Sequence, residues 1–338
     1  MAYFIDWLEL VCPVCKGELA EATGERPELR CEACRRGYPV VLGIPDLRIF
    51  PDPYISAVGD WAKGRMLADH FEEMDFAELV ALYFHVTPEV PAHDVRANSS
   101  RLLGGVARAE VALESWESSF GPLRADCALD VGCGTAPLVA ALSGRAPRVV
   151  GIDVAFRWLV VGRKRLDELG VSAPLVAACA EALPFREGTF DTVTMQSSLE
   201  VFSDQRAALA ESLKVLRESG RLLINTPNRF SLGPDPHIGV FGGGFLPAAV
   251  VNTIAKLRQA RPPGRDLLSS ASLRRRLADA GFRDVRVALP GVSHAQRAQF
   301  TGLARRLADV YEHGRRAPVL STALRAIGPL LQAEGTRR

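Results

Sequence analysis

The sequence predicts an α/β fold with a doubly wound, mainly parallel sheet, preceded by a small cysteine-rich unit and a group of helices. Three observations lead to this prediction. A short apolar strand at 127–131 turns through two glycines into a helix, and a second apolar strand at 148–153 ends in an aspartate. From there, strand-like and helix-like segments alternate as far as residue 226, which is typical of parallel strands joined by helical crossovers.

The glycine turn lies within CALDVGCGTAP, residues 127–137. Gly132 and Gly134 give the backbone freedom to pass directly from strand to helix, and they let a ligand approach the bare main chain at the helix N-terminus. A dinucleotide fingerprint would need a third glycine where Pro137 stands. The turn therefore predicts a nucleotide-type ligand other than NAD.

The strand RVVGIDV supplies the second feature of the predicted site. Its Asp153 lies 21 positions after Gly132, close to the ~20 residues that separate such a turn from a ribose-binding carboxylate. We therefore expect Asp153 to accept hydrogen bonds from ribose hydroxyls. Downstream, the pattern predicts a helix at 157–169 and strands at 174–178 and 221–226.

Further motifs follow in a fixed order along the chain. They are DVGCGT at 130–135, GID at 151–153, AEALPF at 180–185, FD at 190–191, LE at 199–200 and ALAESLKVLRESGRLLINTPN at 208–228. Together they resemble the successive motifs of class I S-adenosylmethionine-dependent methyltransferases, of the methyltransferase type 11-like kind, over roughly residues 120–290. The resemblance implies a Rossmann-like doubly wound, mainly parallel sheet, the class I methyltransferase fold, and S-adenosyl-L-methionine as cofactor.

The resemblance also implies the cofactor contacts. Gly132 and Gly134 would let the methionine part approach the backbone, and Asp130 would orient the turn and the amino group. Asp153 would hold the ribose. Gln196, at the end of the fourth strand, stands where the family places main-chain contacts to the methionine moiety.

Two positions depart from the family pattern. Cys179 stands where the family usually has an acidic residue that reaches the adenine amino group. We therefore expect the adenine to be held by the backbone around Ala180 and by apolar packing from Val154 and Leu183. Val201 replaces the histidine that frequently follows Leu-Glu, so the resemblance provides no base at that position.

Four cysteines near the N-terminus form two CxxC pairs, Cys12 with Cys15 and Cys31 with Cys34, separated by 15 residues. This spacing predicts a four-thiolate zinc ribbon with a closed, structural Zn²⁺ site. Disulfides are the alternative, but a chain without a signal peptide is expected to keep its thiols reduced. With CPVCKGEL and RRGYPVVLGIPDLR, the segment resembles the zinc-ribbon domain of activators of tRNA and protein methyltransferases.

The pattern divides the chain into four parts: a zinc ribbon at 1–50, a linker and helical cap at 51–120, the core at 121–290, and C-terminal helices at 291–338. Within the core, a Gly- and Pro-rich stretch at 227–265 is predicted to be a substrate loop, because loops at the carboxyl ends of strands in such sheets contact ligands.

The C-terminal part leaves the last strand of the expected sheet in doubt. Residues 291–313 have a helical pattern, and 317–332 are predicted to be a broken apolar helix. That helix is expected to pack on the core, with a dimer contact or a peripheral membrane contact as alternatives. The sequence does not indicate an oligomeric state.

Catalytic residues are expected from the loops and the cap. His237 in the predicted substrate loop is the first candidate for a general base, and His85 in the cap is the second. A base is needed only when the acceptor is a hydroxyl, since a carbon or amine nucleophile can react without one. Both assignments rest on the residue type and its position in the chain.

Composition and charge exclude some classes of protein. The chain has 338 residues, 48% of them hydrophobic and 24% charged, which is enough for a full core. It lacks an apolar run of the ~18 residues that a membrane span needs and begins without a basic, apolar leader, so a cytoplasmic location is predicted. Residues 261–338 carry 15 Arg against 4 Asp and 2 Glu, and these arginines are predicted mainly to occupy solvent faces of helices.

Three functions are compatible with these features. The first is methyl transfer from S-adenosylmethionine to a small-molecule acceptor, such as a sugar, polyketide, quinone-like or lipid intermediate, with oxygen as the expected position. The second is an rRNA or tRNA methyltransferase whose ribbon binds nucleic acid, but the basic patch at Arg35 and Arg36 is thin. The third is a catalytically inactive protein whose ribbon docks a partner. The first is preferred.

Overall fold

The computed structural model describes residues 7–22, 27–52, 55–87, 90, 92–233, 235, 239–257, 264–292 and 301–338. It contains a seven-stranded, mainly parallel sheet with helices on its faces, a layer of cap helices and a small four-stranded N-terminal sheet. The predicted α/β fold is confirmed.

The N-terminal sheet is an antiparallel meander of short strands. The first CxxC pair lies in the turn before the first strand, and the second pair lies at the turn between the second and third strands. The strands are β1 (Leu19–Glu21), β2 (Glu28–Cys31), β3 (Gly37–Val41) and β4 (Ile44–Pro45). We call the described residues from 7 to 45 the ribbon. Its buried Leu8, Leu29 and Tyr38 join the same apolar cluster as the main sheet, so the ribbon packs directly on the core.

Four helices form the cap: α1 (Ala57–Asp69), α2 (Phe76–His85), α3 (Ala92–Leu103) and α4 (Gly105–Phe120). The side chain of Ser56 caps α1, and Asp75 and Glu78 form a capping box at the start of α2. Side-chain oxygens at these positions satisfy amides that the first helical turn leaves unpaired. Helices α1 and α2 therefore begin where local sequence signals place their starts.

The main sheet alternates with helices along the chain. In order, the elements are β5 (Cys127–Val131), α5 (Pro137–Leu142), β6 (Arg148–Asp153), α6 (Phe156–Glu168), β7 (Leu175–Ala177), β8 (Phe190–Gln196), α7 (Gln205–Val215), β9 (Leu216–Pro227), α8 (Ala248–Leu257), α9 (Ser270–Asp279), β10 (Arg283–Ala288), α10 (Gly302–Gly314), α11 (Pro318–Ile327) and β11 (Leu330–Thr336).

The strand order is β10-β11-β9-β8-β5-β6-β7, and strands β5 to β9 pair in parallel. All five residues of β5 are buried, as expected for a central strand covered on both faces. From β5 the chain adds β6 and β7 on one side of the sheet, and it then crosses to the other side of β5 to add β8 and β9. Ligands bind outside the carboxyl ends of the strands at such a switch point.

The C-terminus corrects the prediction of helices throughout 291–338. The helix ends at Ile327, and residues 330–336 form β11, which pairs antiparallel with both β9 and β10. The side-chain amide of Asn228 donates to the carbonyl oxygens of Arg325 (3.1 Å) and Gly328 (2.9 Å), which satisfies groups that the helix end exposes. Residues 293–300 of the predicted helix lie outside the described residues.

The segment that follows β4 is packed against the core. Leu47 is fully buried, and its amide donates to the carbonyl oxygen of Ala177 at the end of β7 (2.8 Å). Asp46 forms a parallel bridge with the same residue. We call residues 46–52 the pocket segment, because it runs along the carboxyl edge of the sheet. No helix among the described residues is long and apolar enough to cross a membrane.

Candidate functional site

The glycine turn joins β5 to α5. Gly132 and Gly134 have φ angles of 81° and 53°, in the left-handed region that favours glycine. A Cβ atom on Gly132 would lie 2.4 Å from the Cβ atom of Ser198. The turn therefore requires glycine at this position both for its backbone angle and for its packing.

Asp153 ends β6 and faces the glycine turn. One of its carboxylate oxygens accepts the amide of Gly134 (2.7 Å), and the other accepts the amide of Ala155 (2.7 Å). Burial raises the pKa of this carboxyl, and the two amides oppose the rise. The glycine turn and the end of β6 are thus joined through the Asp153 side chain.

Asp130, the residue before the last position of β5, is buried beneath the turn. The hydroxyl of Thr194 donates to its carboxylate (3.0 Å). Burial raises the pKa of Asp130 to about 7, and the charge of Asp153 adds to the rise. Asp130 therefore changes charge near neutral pH, where a bound cation would favour its carboxylate form.

A cavity of about 240 Å³ lies at the carboxyl ends of β5 and β6. Five of the predicted cofactor residues line it: Gly132, Asp153, Val154, Cys179 and Ala180. The other four, Asp130, Gly134, Leu183 and Gln196, are not among its lining residues. The amide of Gly134 donates a hydrogen bond to Asp153, which lines the cavity. Asp130 lies behind the turn.

The cavity also has a wall that the sequence pattern does not predict. Phe50, Pro51 and Asp52 of the pocket segment line it, together with Arg157 and Trp158 at the start of α6. The thiol of Cys179 accepts the amide of Phe50 (3.4 Å) and donates to its carbonyl oxygen (3.6 Å). The cysteine that replaces the usual acidic residue thus fastens the pocket segment. A family resemblance confined to 120–290 gives no signal for these contacts.

A buried charge cluster holds this wall to the cap. Arg48 forms a two-point pair with Asp46 (2.7 Å for both bonds), pairs with Asp60 of α1 and donates to the carbonyl oxygen of Val154 (2.9 Å). Arg157 pairs with Asp60 and with Asp52 (2.7 Å). Burial alone would lower the pKa of Arg48, but the carboxylates of Asp46 and Asp60 raise it. Both arginines therefore stay charged.

Glu200 lies between β8 and α7 and is buried. The hydroxyl of Thr226 donates to its carboxylate (3.0 Å), and its carbonyl oxygen accepts the amide of Asp266 (2.8 Å). Burial raises the pKa of Glu200 to about 7. This residue joins the ends of β8 and β9 to the chain that follows the predicted substrate loop. In the sequence, only the LE motif at 199–200 marks it.

The two catalytic candidates stay predictions. His237 lies outside the described residues. His85 is the last residue of α2, is exposed, and is not among the residues that line the cavity.

The four ribbon cysteines converge on one point. Their sulfur atoms lie within 4.8 Å of one another, and no other group of three or more ligand side chains occurs among the described residues. The turns at the two pairs are alike. The amide of Lys16 donates to the carbonyl oxygen of Cys12, and the amide of Arg35 donates to the carbonyl oxygen of Cys31. Lys16 and Arg35 both have positive φ angles.

The surroundings of these sulfurs test whether Zn²⁺ fits. A Cβ atom on Gly17 would lie 3.3 Å from the sulfur atoms of both Cys15 and Cys31, so glycine keeps space beside the cluster. The hydroxyl of Tyr38 lies 3.1 Å from the sulfur of Cys12. Four convergent thiols with outer hydrogen bonds are the donor set of a structural Zn²⁺ site. The predicted ligands fit the metal.

Comparison with known proteins assigns the central part of the chain. Residues 129–224 match a family profile described as a methyltransferase domain. A demethylmenaquinone methyltransferase of Thermus thermophilus is 37% identical over 116 residues, which are 34% of this chain and 50% of that protein. The ubiquinone/menaquinone biosynthesis C-methyltransferase UbiE of Enterobacter sp. strain 638 is 38% identical over 109 residues, 31% of this chain and 43% of that protein.

The chain thus spans about half the length of these relatives or less. Among solved structures, a SAM-dependent methyltransferase from Thermotoga maritima aligns with this chain over 72% of this chain and 96% of its own. The two are 16% identical in sequence, and the TM-score is 0.46. The stretch 129–224 carries a methyltransferase domain, as the motifs predict.

Proposed function

We propose that this chain is an S-adenosylmethionine-dependent methyltransferase that acts on a small-molecule acceptor. The observation that carries the proposal is the hydrogen bond between Gly134 and Asp153 beside a cavity at the carboxyl ends of β5 and β6. A carboxylate next to a glycine turn at this place in a parallel sheet suits a ribose and a charged tail. The methyltransferase domain matched by 129–224 supports the same ligand.

The roles of the residues follow from their positions. Gly132 offers bare backbone to the methionine part, and Asp153 accepts the ribose hydroxyls through the lone pairs that the two amides leave free. Val154 and Ala180 form apolar walls for the adenine. Asp130, as a carboxylate, favours the amino group of the ligand. The cofactor supplies a methyl group already activated on a sulfonium.

The protein has to align the acceptor and keep water out, because methyl transfer is an in-line displacement. We propose that the acceptor approaches from the ends of β8 and β9, where Glu200 and Thr226 lie. Burial raises the pKa of the Glu200 carboxyl to about 7, so its protonation changes near neutral pH, and its carbonyl oxygen accepts the amide of Asp266. His237 and His85 remain the candidates for a base if the acceptor is a hydroxyl.

The acceptor that we propose is a quinone-like ring. The relatives named above are quinone-pathway methyltransferases, and one of them is named as a C-methyltransferase. These names do not support the expected oxygen position, so we propose methylation at a ring carbon. Exposed Phe230 and Phe245 lie within the predicted substrate loop, with their ring centres 5.2 Å apart, and they suit an apolar acceptor.

The test uses the zinc-loaded full chain. The protein is titrated calorimetrically with S-adenosylmethionine and then incubated with the methyl-labelled cofactor and separate acceptors: a demethylated quinol, a phenolic polyketide, a sugar, a lipid and bulk rRNA and tRNA. We expect labelled product with the quinol, and NMR of the product distinguishes carbon from oxygen methylation. Absence of cofactor binding contradicts the proposal, and transfer to RNA alone contradicts the acceptor class.

A further inference from the structure

We infer that the ribbon and the pocket segment form the adenine side of the cofactor site, so that metal binding by the four cysteines sets the affinity for S-adenosylmethionine. This inference rests on the proposed function. Its basis is a set of contacts that connects the cysteine cluster to the wall of the cavity in two ways.

The first connection runs through the first CxxC turn. The amide of Val11, next to Cys12, donates to the carbonyl oxygen of Pro184 (2.9 Å), and Leu10 forms an antiparallel bridge with Phe185. The residues just before the turn thus contact Pro184 and Phe185. These two follow closely in the chain after Cys179 and Ala180, which line the cavity.

Lys16, the residue after Cys15, strengthens the same contact. Its ammonium group donates to the carbonyl oxygen of Leu183 (2.8 Å) and pairs with Glu211 of α7 (3.0 Å). The carboxylate of Glu211 also accepts the amide of Leu183 (3.1 Å). The ion pair of Lys16 and Glu211 therefore holds both backbone groups of Leu183. Lys16 reaches Leu183 from the first CxxC turn, and Glu211 reaches it from α7. Lys16 is a positioning residue for residues 179–185, which follow β7 and contribute Cys179 and Ala180 to the cavity wall.

The second connection runs through the pocket segment. It leaves the ribbon after β4, is bound to the end of β7 by Leu47, and places Phe50 on the cavity wall. The side chain of Phe50 is 53% exposed although its backbone is fastened to Cys179. An aromatic ring held on a cavity wall but not buried by the protein is suited to stack on an adenine ring.

Metal binding controls both connections because the ribbon is small. A unit of about 40 residues rarely holds its fold without a staple, and four-thiolate units gain their folding free energy from the metal. Loss of the metal releases the first CxxC turn from Pro184 and Leu183 and frees the start of the pocket segment. The strands of the main sheet pair with one another and not with the strands of the ribbon, so we expect the effect to fall on the cofactor site.

The experiment measures the affinity for S-adenosylmethionine and S-adenosylhomocysteine by calorimetry, with zinc bound, after chelation under reducing conditions, and after zinc is added back. Thiolate-to-metal charge-transfer bands of the cobalt-substituted protein report on occupancy of the four-cysteine site. We expect affinity to fall about tenfold or more on chelation and to return with zinc. Equal affinity with and without the metal would overturn the inference.

Two pairs of variants keep the test independent of how far the stripped protein unfolds. Lys16→Met removes the bond to Leu183, and Lys214→Met is its control, since Lys214 pairs with Glu211 (2.8 Å) from α7 itself. Phe50→Ala removes the proposed stacking ring, and Leu169→Ala, at an apolar position at the end of α6 with the same 53% exposure, is its control. We expect the first member of each pair to weaken binding about tenfold in the zinc-loaded protein, on the scale of a base–aromatic stack.

These outcomes separate the inference from the proposed function. Wild-type affinity in both Lys16→Met and Phe50→Ala, with zinc bound, overturns the inference while the proposed function stands. Absence of any binding by the zinc-loaded wild type contradicts the proposed function itself.

Discussion

The carboxylate of Asp153 and the amide of Gly134 are joined by a hydrogen bond of 2.7 Å, which connects the end of β6 to the turn after β5. The other carboxylate oxygen holds the amide of Ala155 at the start of α6. One side chain thus fixes two loops on either side of the cavity. Both loops are at the carboxyl edge of the sheet, so the ligand site is shaped by the residue that is also expected to contact the ligand.

Asp153→Asn tests this double role. In asparagine one oxygen becomes an NH₂ group, which would face an amide N–H donor and cannot accept a hydrogen bond from it. We expect the affinity for S-adenosylmethionine to fall about a hundredfold, the scale of two hydrogen bonds to a charged group. Calorimetry measures the affinity. Asp167→Asn on the exposed face of α6 is the control, and equal binding by both variants would contradict the assigned role.

The charge cluster around Asp60 gives a prediction about stability. Asp60 is fully buried and accepts hydrogen bonds from Arg48, Arg157 and the amide of Phe156 at the start of α6. Asp60→Asn leaves two buried guanidinium groups with less negative charge around them, which costs about 3–5 kcal/mol. Urea unfolding measures the loss.

The control for Asp60 lies on the same helix. Asp69 is exposed and lies 3.9 Å from Arg65 in a surface pair, and such pairs contribute about 0–1 kcal/mol. Asp69→Asn should therefore leave the free energy of unfolding nearly unchanged. A small effect from Asp60→Asn, similar to that of the control, would show that the cluster does not hold the cap to α6.

How much of the site the sequence predicts depends on how far apart the interacting residues are in the chain. The glycine turn, Asp153 and the CxxC pairs are recognised from short motifs, and the structure brings each group together. Phe50 contacts Cys179 across more than 100 residues, and no local pattern marks that pairing. The pocket segment, DLRIFPD, lies outside the methyltransferase motifs, so its packing could not be predicted.

The last strand shows the same limit in the fold. Residues 330–336 pair with residues 221–227 of β9, and their apolar start continues the apolar run of the preceding helix beyond Gly328 and Pro329. Gln332 and Glu334 are buried in this strand, which a sequence analysis based on apolar periodicity does not expect. Their partners explain them: Ser115 of α4 donates to Gln332 (3.1 Å), and Arg221 pairs with Glu334 (3.4 Å).

Glu200 predicts how stability changes with pH. Its pKa is raised by burial from 4.5 to about 7 in the folded protein, so folding favours the protonated carboxyl. The stabilisation is complete below pH 4.5 and is lost as the pH rises through about 7. Glu200→Gln keeps an acceptor for Thr226 but cannot ionise.

We therefore expect Glu200→Gln to melt at a higher temperature than the wild type at pH 8, with the difference shrinking towards pH 5. Differential scanning fluorimetry across this range measures it. Glu218→Gln, at an exposed position of β9, is the control and should follow the wild type at every pH. A constant difference between Glu200→Gln and the wild type would mean that Glu200 does not titrate in this range.

Gly17→Ala tests whether the cysteine cluster is built for a metal. The added Cβ atom would lie 2.9 Å from the Cβ atom of Ala33 and 3.3 Å from the sulfurs of Cys15 and Cys31, so the two CxxC turns would have to separate. Overpacking of this kind costs about 1–3 kcal/mol, which corresponds to a zinc affinity about ten- to a hundredfold lower. Competition with a chromogenic chelator measures the affinity.

The control for Gly17→Ala is Gly144→Ala, since a Cβ atom on Gly144 would meet only the carbonyl oxygen of Ala141, at 3.6 Å. It should bind zinc as the wild type does. Because the substitution leaves all four thiols in place, a loss of affinity in Gly17→Ala alone means that the geometry of the two turns, and not merely the presence of four cysteines, holds the metal. Wild-type zinc affinity in Gly17→Ala would instead show that zinc binding does not need the space that Gly17 keeps beside the cluster.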